Sequence, residues 1–219
     1  YLDRFETAWA AYCGRREGVA VSNGTAALEA AVRCLDLQPG DEVILPTFTI
    51  ISCVLAVLRG GAHPVLVDAD PDTWCLDVGQ VEATLTPRTR AIMPVHIYGH
   101  PVDMDPLIKL ADQHDLVLIE DAAEAHGGQY LRGWRDGTDT WQTCGSFGVV
   151  SCFSFYANKI ISTGEGGMVS ADEEELIAAA RSIAWWGRDC YCVGTANLLR
   201  KGTCGRRFDH WLDEQDVVL

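Results

Sequence analysis

Lysine is the scarcest charged side chain in this sequence: of 17 basic residues 14 are Arg, and the three lysines are Lys109, Lys159 and Lys201. Positive charge as a whole is short. Thirty-one acidic residues set a formal net charge of −14 and a pI of about 4.7, which argues against nucleic acid or an anionic membrane surface as the main partner. The longest apolar run, "VILPTFTIISCVLAVL", is broken by Pro46 and several hydroxyls and is too short to span a bilayer. No low-complexity tract and no internal repeat is visible, so disordered and solenoid architectures are excluded. Nor does the first strand-to-helix turn carry GxGxxG or GxxxxGK[ST], which removes the common dinucleotide and P-loop readings.

What is present is a globular composition, with 48% hydrophobic and 22% charged residues. Nine cysteines, an odd number with no secretory signal ahead of them, imply reduced thiols and a cytoplasmic protein. The chain starts at Tyr1 and stops at "DEQDVVL", which reads as a fragment whose site is shared with another segment or subunit. A length of 219 residues suits one large α/β domain with a full core, or a domain plus an appendage.

From residue 24 to about 121 helical and strand-like stretches alternate. "GTAALEAAVRCLDL" leads to "EVILP", "TIISCVLAVLRGG" to "HPVLVDAD", "VGQVEATL" to "AIMPVH", and "MDPLIKLADQHD" to "LVLIED". Short apolar strands separated by helices imply right-handed crossovers and a mostly parallel sheet covered by helices on both faces. The α/β domain is assigned to 1–184, and 185–219 to the start of an insertion or connection towards a further domain. Residues 131–145, "LRGWRDGTDTWQTCG", break the alternation and read as a loop insertion.

Ligands of such sheets bind beyond the carboxyl ends of the strands. Three stretches fall there. In "VSNGTAAL", Ser22, Asn23, Gly24 and Thr25 sit where a strand hands over to a helix, so they form either an anion site or a simple N-cap. In "EDAAEAHG", Asp121 ends a strand ahead of an expected helix, as a cap or as a carboxylate held at a site mouth. In "SFYANKIISTGEGG", Lys159 follows the buried run "VVSCFSFYAN", where desolvation favours the neutral, nucleophilic form of an amine. A lysine snorkelling from a strand end explains the same letters. Lys109 and Lys201 read as solvated, as does the basic cluster "RKGTCGRR".

His96 and His100 in "HIYGH" have i, i+4 spacing, but Gly99 and Pro101 argue for a loop, and no metal is assigned. Cys190, Cys192 and Cys204 lack an evident fourth ligand and read as free thiols.

Taken together and in order, "SNGTAAL", "EDAAEAHG", "GSFG" and "CFSFYANKIISTGEGGM" resemble the pyridoxal-phosphate-dependent sugar aminotransferases of the DegT/DnrJ/EryC1/StrS family, over residues 1–184. With "ILPTFTIIS" and "MPVHIYGHPVDMDP" the resemblance is to the perosamine synthase group, which acts on nucleotide-linked keto-6-deoxy sugars. It implies the large domain of a fold-type I aminotransferase, pyridoxal 5'-phosphate as cofactor, glutamate as amino donor, and a homodimer with shared active sites. By matching, Lys159 carries the cofactor covalently and moves protons, and Asp121 pairs with the pyridine nitrogen. Glu124 takes a ring-side position, Gly24, Thr25, Ala26 and Ser154 bind the phosphate, and Ile50 holds a ring-stacking position that is aromatic in many members, with Phe48 as a nearby substitute.

The tail "WGRDCYC…TCGRRF" resembles the iron–sulfur segment of CDP-4-keto-6-deoxyglucose 3-dehydrases. Those enzymes have His where this chain has Lys159, and a cluster cysteine where it has Ala123. Transamination is therefore expected over dehydration, the other alternative being a non-catalytic partner subunit.

Overall fold

A computed structural model of the chain describes residues 1–184, so the cysteines at 190, 192 and 204, Lys201 and the assignment of 185–219 lie outside the described residues. The main sheet has seven strands: β1 (Glu17–Val21), β2 (Glu42–Pro46), β3 (His63–Val67), β4 (Thr89–Ile92), β5 (Val117–Asp121), β8 (Val150–Ser154) and β9 (Gly167–Ala171). Their spatial order is β1-β9-β8-β5-β4-β2-β3, parallel except for β9, which runs antiparallel to both neighbours. The expected α/β class is what forms, and the apolar strands β2, β8 and β9 are buried along their whole length, as a sheet covered on both faces requires.

Alternate residues of each strand feed opposite cores. On β8, Cys152 packs with α2 (Gly24–Arg33), α3 (Ile51–Arg59) and α6 (Glu174–Ala184), whereas the adjacent Phe153 packs with α1 (Leu2–Cys13). Farther along that second face, Ile92 and Leu118 meet α4 (Val78–Thr84) and α5 (Met104–His114).

Helix α1 precedes the alternation and went unread in the sequence. Its buried positions Glu6, Trp9, Ala10 and Cys13 follow helical spacing, and Gly14 closes it in the left-handed conformation with its N–H on the last carbonyls. Glu6 binds it to the sheet, accepting from Ala20 N at 2.8 Å and from Arg181 at 3.0 Å.

Residues 131–145 are no irregular insertion. β6 (Gln129–Arg132) and β7 (Thr140–Thr143) form an antiparallel hairpin registered Gln129 to Thr143. Four-residue polar strands carry no apolar alternation to announce them. The hairpin is clamped instead by acids at the start of α5: Asp103 accepts from Tyr130 Oη at 2.6 Å and from Arg135, and Asp105 from Arg132 at 2.7 Å. The helix expected after Asp121 is also absent, because Asp121 Oδ1 accepts from Ala123 N at 3.0 Å and Gly127 has φ of 73°, so residues 122–128 turn back on themselves.

Candidate active site

The carboxyl ends of β5 and β8 are neighbours and those of β8 and β1 flank the start of β9 at Gly167, so Asn23, Asp121 and Ser154 reach one edge of the sheet from distant sequence positions. The pair Glu120–Asp121 divides its labour by strand alternation. Glu120, fully buried, points away from the cavity and accepts from His96 Nε2 at 2.9 Å, from Phe147 N at 2.8 Å, from Gly148 N at 2.9 Å and from Gly145 N. Burial works to raise its carboxyl, but these hydrogen bonds outweigh it and hold the group below the usual carboxylate range. Arg15 completes the support, with its guanidinium on the carbonyls of Gly145 and Gly148 and on Asp172. The "GSFG" motif is thus a ring of backbone donors closed around an internal carboxylate. His96 is the structural partner of that carboxylate, since its Nδ1 accepts from Val102 N at 3.1 Å, and among the described residues no cluster of three or more metal-binding side chains occurs.

Asp121 faces the other way. It is buried, its Oδ1 takes the Ala123 N–H, and its Oδ2 accepts the Cys53 thiol at 3.1 Å. Desolvation pushes its carboxyl up despite both hydrogen bonds. Burial and the nearby Asp121 push the Cys53 thiol up too, so it stays protonated and donates to Asp121.

Asp121, Glu124 and Lys159 line one cavity of about 260 Å³, walled by Phe48, Ile50 and Tyr98. The Lys159 side chain is 14% exposed and its Nζ lies 2.9 Å from Glu124 Oε1. The amine is therefore paired, not the isolated desolvated group that the flanking residues suggested. Glu124 Oε2 accepts from Tyr98 N at 2.8 Å. The glycines of "STGEGG" let the Lys159 loop close: Gly164 and Gly166 have φ of 84° and 149°, and Phe155 N bonds Gly166 O at 2.8 Å. Lys109, by contrast, lies exposed on α5.

The expected phosphate contacts gather beside this cavity without lining it. Asn23 is the N-cap of α2, its Oδ1 accepting from Ala26 N at 2.8 Å, so that N–H already has a partner. The N–H groups of Gly24 and Thr25, in the first turn, have no acceptor within the helix. Gly24 packs so tightly on Ser154 that a Cβ there would fall 2.8 Å from Ser154 Cβ. Thr25 Oγ1 meets Ser52 Oγ at 2.9 Å, and Ser52 neighbours Cys53, so α3 links this cradle to Asp121. Ile50 is an exposed N-cap residue of α3, whereas Phe48 makes edge-to-face contacts with Trp74 and Tyr98.

Sequence reasoning passed over Arg15, Cys53, Trp74, Tyr98 and Glu120. Only Glu120 left a usable signal, since two adjacent acids ending an apolar strand must face opposite sides and the inward one needs partners.

Known proteins resemble this chain at three levels: family profile, individual relatives and solved structures. The sequence profile described as the DegT/DnrJ/EryC1/StrS aminotransferase family matches residues 1–201. The chain is 47% identical over 189 residues to GDP-perosamine synthase of Caulobacter vibrioides, covering 86% of this chain and 48% of that protein. It is 46% identical over 220 residues to dTDP-3-amino-3,4,6-trideoxy-alpha-D-glucose transaminase of Streptomyces venezuelae, covering 100% and 53%. Among solved structures, S. venezuelae DesV in complex with a ketimine intermediate superposes with a TM-score of 0.78 at 44% identity, over 87% of this chain and 49% of that one. NtdA from Bacillus subtilis with bound cofactor PMP gives 0.74 at 33% identity, over 84% and 40%. The chain spans about half the length of the curated relatives it matches.

Proposed function

The chain belongs to the DegT/DnrJ/EryC1/StrS aminotransferase family, and from that premise we propose that it forms the cofactor-binding part of a pyridoxal-5'-phosphate-dependent aminotransferase. Its substrate is a nucleotide-linked keto-6-deoxy sugar, its product the amino sugar, and its amino donor glutamate. The observation that carries this reading is the meeting of Lys159, Glu124 and Asp121 in one cavity. The relatives' names support the substrate class.

The residues present fit the cofactor. A buried carboxylate with raised proton affinity is costly unless a cation faces it, and a pyridinium N–H is such a partner. Each Asp121 oxygen has one protein donor and one lone pair to spare. When bound, the cofactor supplies an electron sink for the carbanion formed at the donor or sugar carbon.

Lys159 anchors the cofactor and, once released, moves a proton to and from the reacting carbon. Glu124 holds the Lys159 amine in place from the side. Asp121 keeps the pyridine nitrogen protonated, with its own orientation set by Cys53 and Ala123. The free N–H groups of Gly24 and Thr25 and the hydroxyl of Ser154 take the phosphate at the positive end of α2, Ala26 serving through its helix position. Ile50 lines the same cavity and would stand beside the cofactor ring.

Residues 1–184 are the cofactor-binding large domain in this reading, which continues into 185–219 as a connection towards a C-terminal domain. The proposed assembly is a homodimer with shared sites, and the proposed location is the cytoplasm, supported by six unpaired thiols among the described residues.

The test is covalent trapping. Borohydride treatment of the protein incubated with pyridoxal phosphate should fix the cofactor on the peptide bearing Lys159, and Lys159→Ala should lose both the adduct and turnover. Trapping on another lysine, or turnover by the alanine variant, would overturn the assignment.

A further inference from the structure

Three adjacent parallel strands each deliver one aromatic ring to the same rim. Phe48 follows β2, Trp74 follows β3 and Tyr98 follows β4. Their centroids are 5.9 Å (Phe48–Trp74), 6.3 Å (Phe48–Tyr98) and 6.2 Å (Trp74–Tyr98) apart, all edge-to-face at interplanar angles of 65–75°. All three are exposed, at 43%, 54% and 68%, on the surface of an acidic chain.

This rim is built against local preference. Trp74 and Tyr98 both occupy left-handed backbone, with φ of 62° and 51°, a conformation that bulky residues rarely adopt. Each is held there by neighbours. Trp74 N donates to Asp70 O at 2.8 Å, while the Asp70 carboxylate accepts from the N–H groups of Asp72 and Thr73 and from the Thr73 hydroxyl. Tyr98 N is held by Glu124 Oε2. Rings this exposed recover little from burial to offset the strain at Trp74 and Tyr98, and a ligand stacked on them would supply the missing contact.

We propose that Phe48, Trp74 and Tyr98 form the subsite for the nucleobase of the nucleotide-linked sugar. The identity of that ligand rests on the aminotransferase reading. Phe48 and Tyr98 also line the cavity that contains Lys159, so the triad is its outward continuation. The keto carbon must meet the cofactor at Lys159 in the inner cavity, so the rest of the sugar and its nucleotide extend outward past the rim. The triad offers ring faces and no charge, so it recognises a base by stacking, which every nucleobase supports.

Isothermal titration of the purified protein with GDP, dTDP and inorganic pyrophosphate tests this directly. Trp74→Ala should weaken both nucleotides by about tenfold or more, the range expected when one base loses its stacking partner, while pyrophosphate binding is unchanged. Trp74→Phe should restore most of the affinity, which separates lost stacking from misfolding. Unchanged nucleotide affinity in Trp74→Ala, no nucleotide binding by the unaltered protein, or dissociation of a dimer accompanying the loss, which would make the rim a subunit contact, each overturns the proposal. The catalytic reading fails separately: if the unaltered protein binds both nucleotides through Trp74 yet never reacts with an amino donor, the subsite stands and the aminotransferase assignment falls.

Discussion

Oε1 of Glu124 lies 2.9 Å from Nζ of Lys159, and this contact joins the amine to the rim of the site because the second oxygen of the same carboxylate holds Tyr98 N. One side chain thus fixes both the lysine and the backbone that presents an aromatic wall. A ring-side amide could not do the same, since the two donors lie on different oxygens and the amide nitrogen would face one of them.

Glu124→Ala should therefore lower turnover by about a hundredfold, the lower range for a group that assists proton transfer. Glu124→Gln keeps one of the two contacts and should fall between alanine and the unaltered protein. Steady-state kinetics with donor and keto sugar decide it. An alanine variant at full rate would show that Lys159 needs no partner there.

Glu120 predicts an acid limit on stability. Its carboxyl is held below the usual range by His96 and the backbone N–H groups of Gly145 and Gly148, against the cost of burial. A depressed folded value means that the stabilisation is present above the unfolded glutamate range and is lost as pH falls through the lower, folded one. Its contribution to the melting temperature should be constant through neutral pH and be lost only as the pH falls below the ordinary glutamate range. Glu120→Ala should remove that acid transition and cost about 3–5 kcal/mol at neutral pH, because it leaves the His96 ring and the N–H groups of Gly145, Phe147 and Gly148 without their acceptor and takes away the negative charge beside buried Arg15. A variant melting within a degree or two of the parent at pH 7 would contradict the network.

Asp121 predicts the opposite slope. Burial raises its carboxyl above the unfolded value, so the cofactor-free protein is most stable where Asp121 is protonated and loses that contribution as pH rises through the folded value. Asp121→Asn removes the charge and keeps the shape, and the Cys53 thiol can turn its proton to Thr49 Oγ1, 3.2 Å away, to accept from the new amide. The cofactor-free variant should thus match or exceed the parent in melting temperature, by a margin that widens with pH, while its affinity for pyridoxal phosphate falls. Melts and cofactor titrations between pH 5 and 8 read both effects, and a variant less stable than the parent at pH 8 would refute the buried-charge argument.

These contrasts show what the letters could and could not carry. The parallel sheet was legible because buried strands such as "VILP" and "LVLIE" are continuous apolar runs. The pattern alone left Lys159 and Asp121 open between a site role and a structural one, the family resemblance singled them out, and the structure brings both to one cavity. The hairpin at 129–143 was not, since its short polar strands depend on Asp103 and Asp105, more than 20 residues away in sequence. Nor was the Cys53–Asp121 bond, a contact across 68 positions that only packing creates. Tyr98 and Trp74 were invisible for a further reason: their left-handed backbone is imposed by distant or side-chain acceptors that propensity does not record.

Gly24 offers a test that separates packing from binding. A Cβ at this position would sit 2.8 Å from Ser154 Cβ and 3.1 Å from Ser154 Oγ, closer than carbon atoms tolerate, and neither neighbour is the far end of a flexible chain. Gly24→Ala must push the start of α2 off the end of β8, which should cost about 1–3 kcal/mol as overpacking and open the proposed phosphate cradle. Ser154→Ala leaves the offending Cβ in place, so it should affect cofactor affinity alone and should not rescue the melt of Gly24→Ala. Gly24→Ala combined with Ser154→Gly removes the clash and the hydroxyl together. That double variant should recover most of the lost melting temperature while its affinity for pyridoxal phosphate stays low, because glycine lacks the hydroxyl proposed to meet the phosphate. Recovery of affinity along with stability would mean that Ser154 acts only by packing and that the helix N–H groups of Gly24 and Thr25 hold the phosphate unaided.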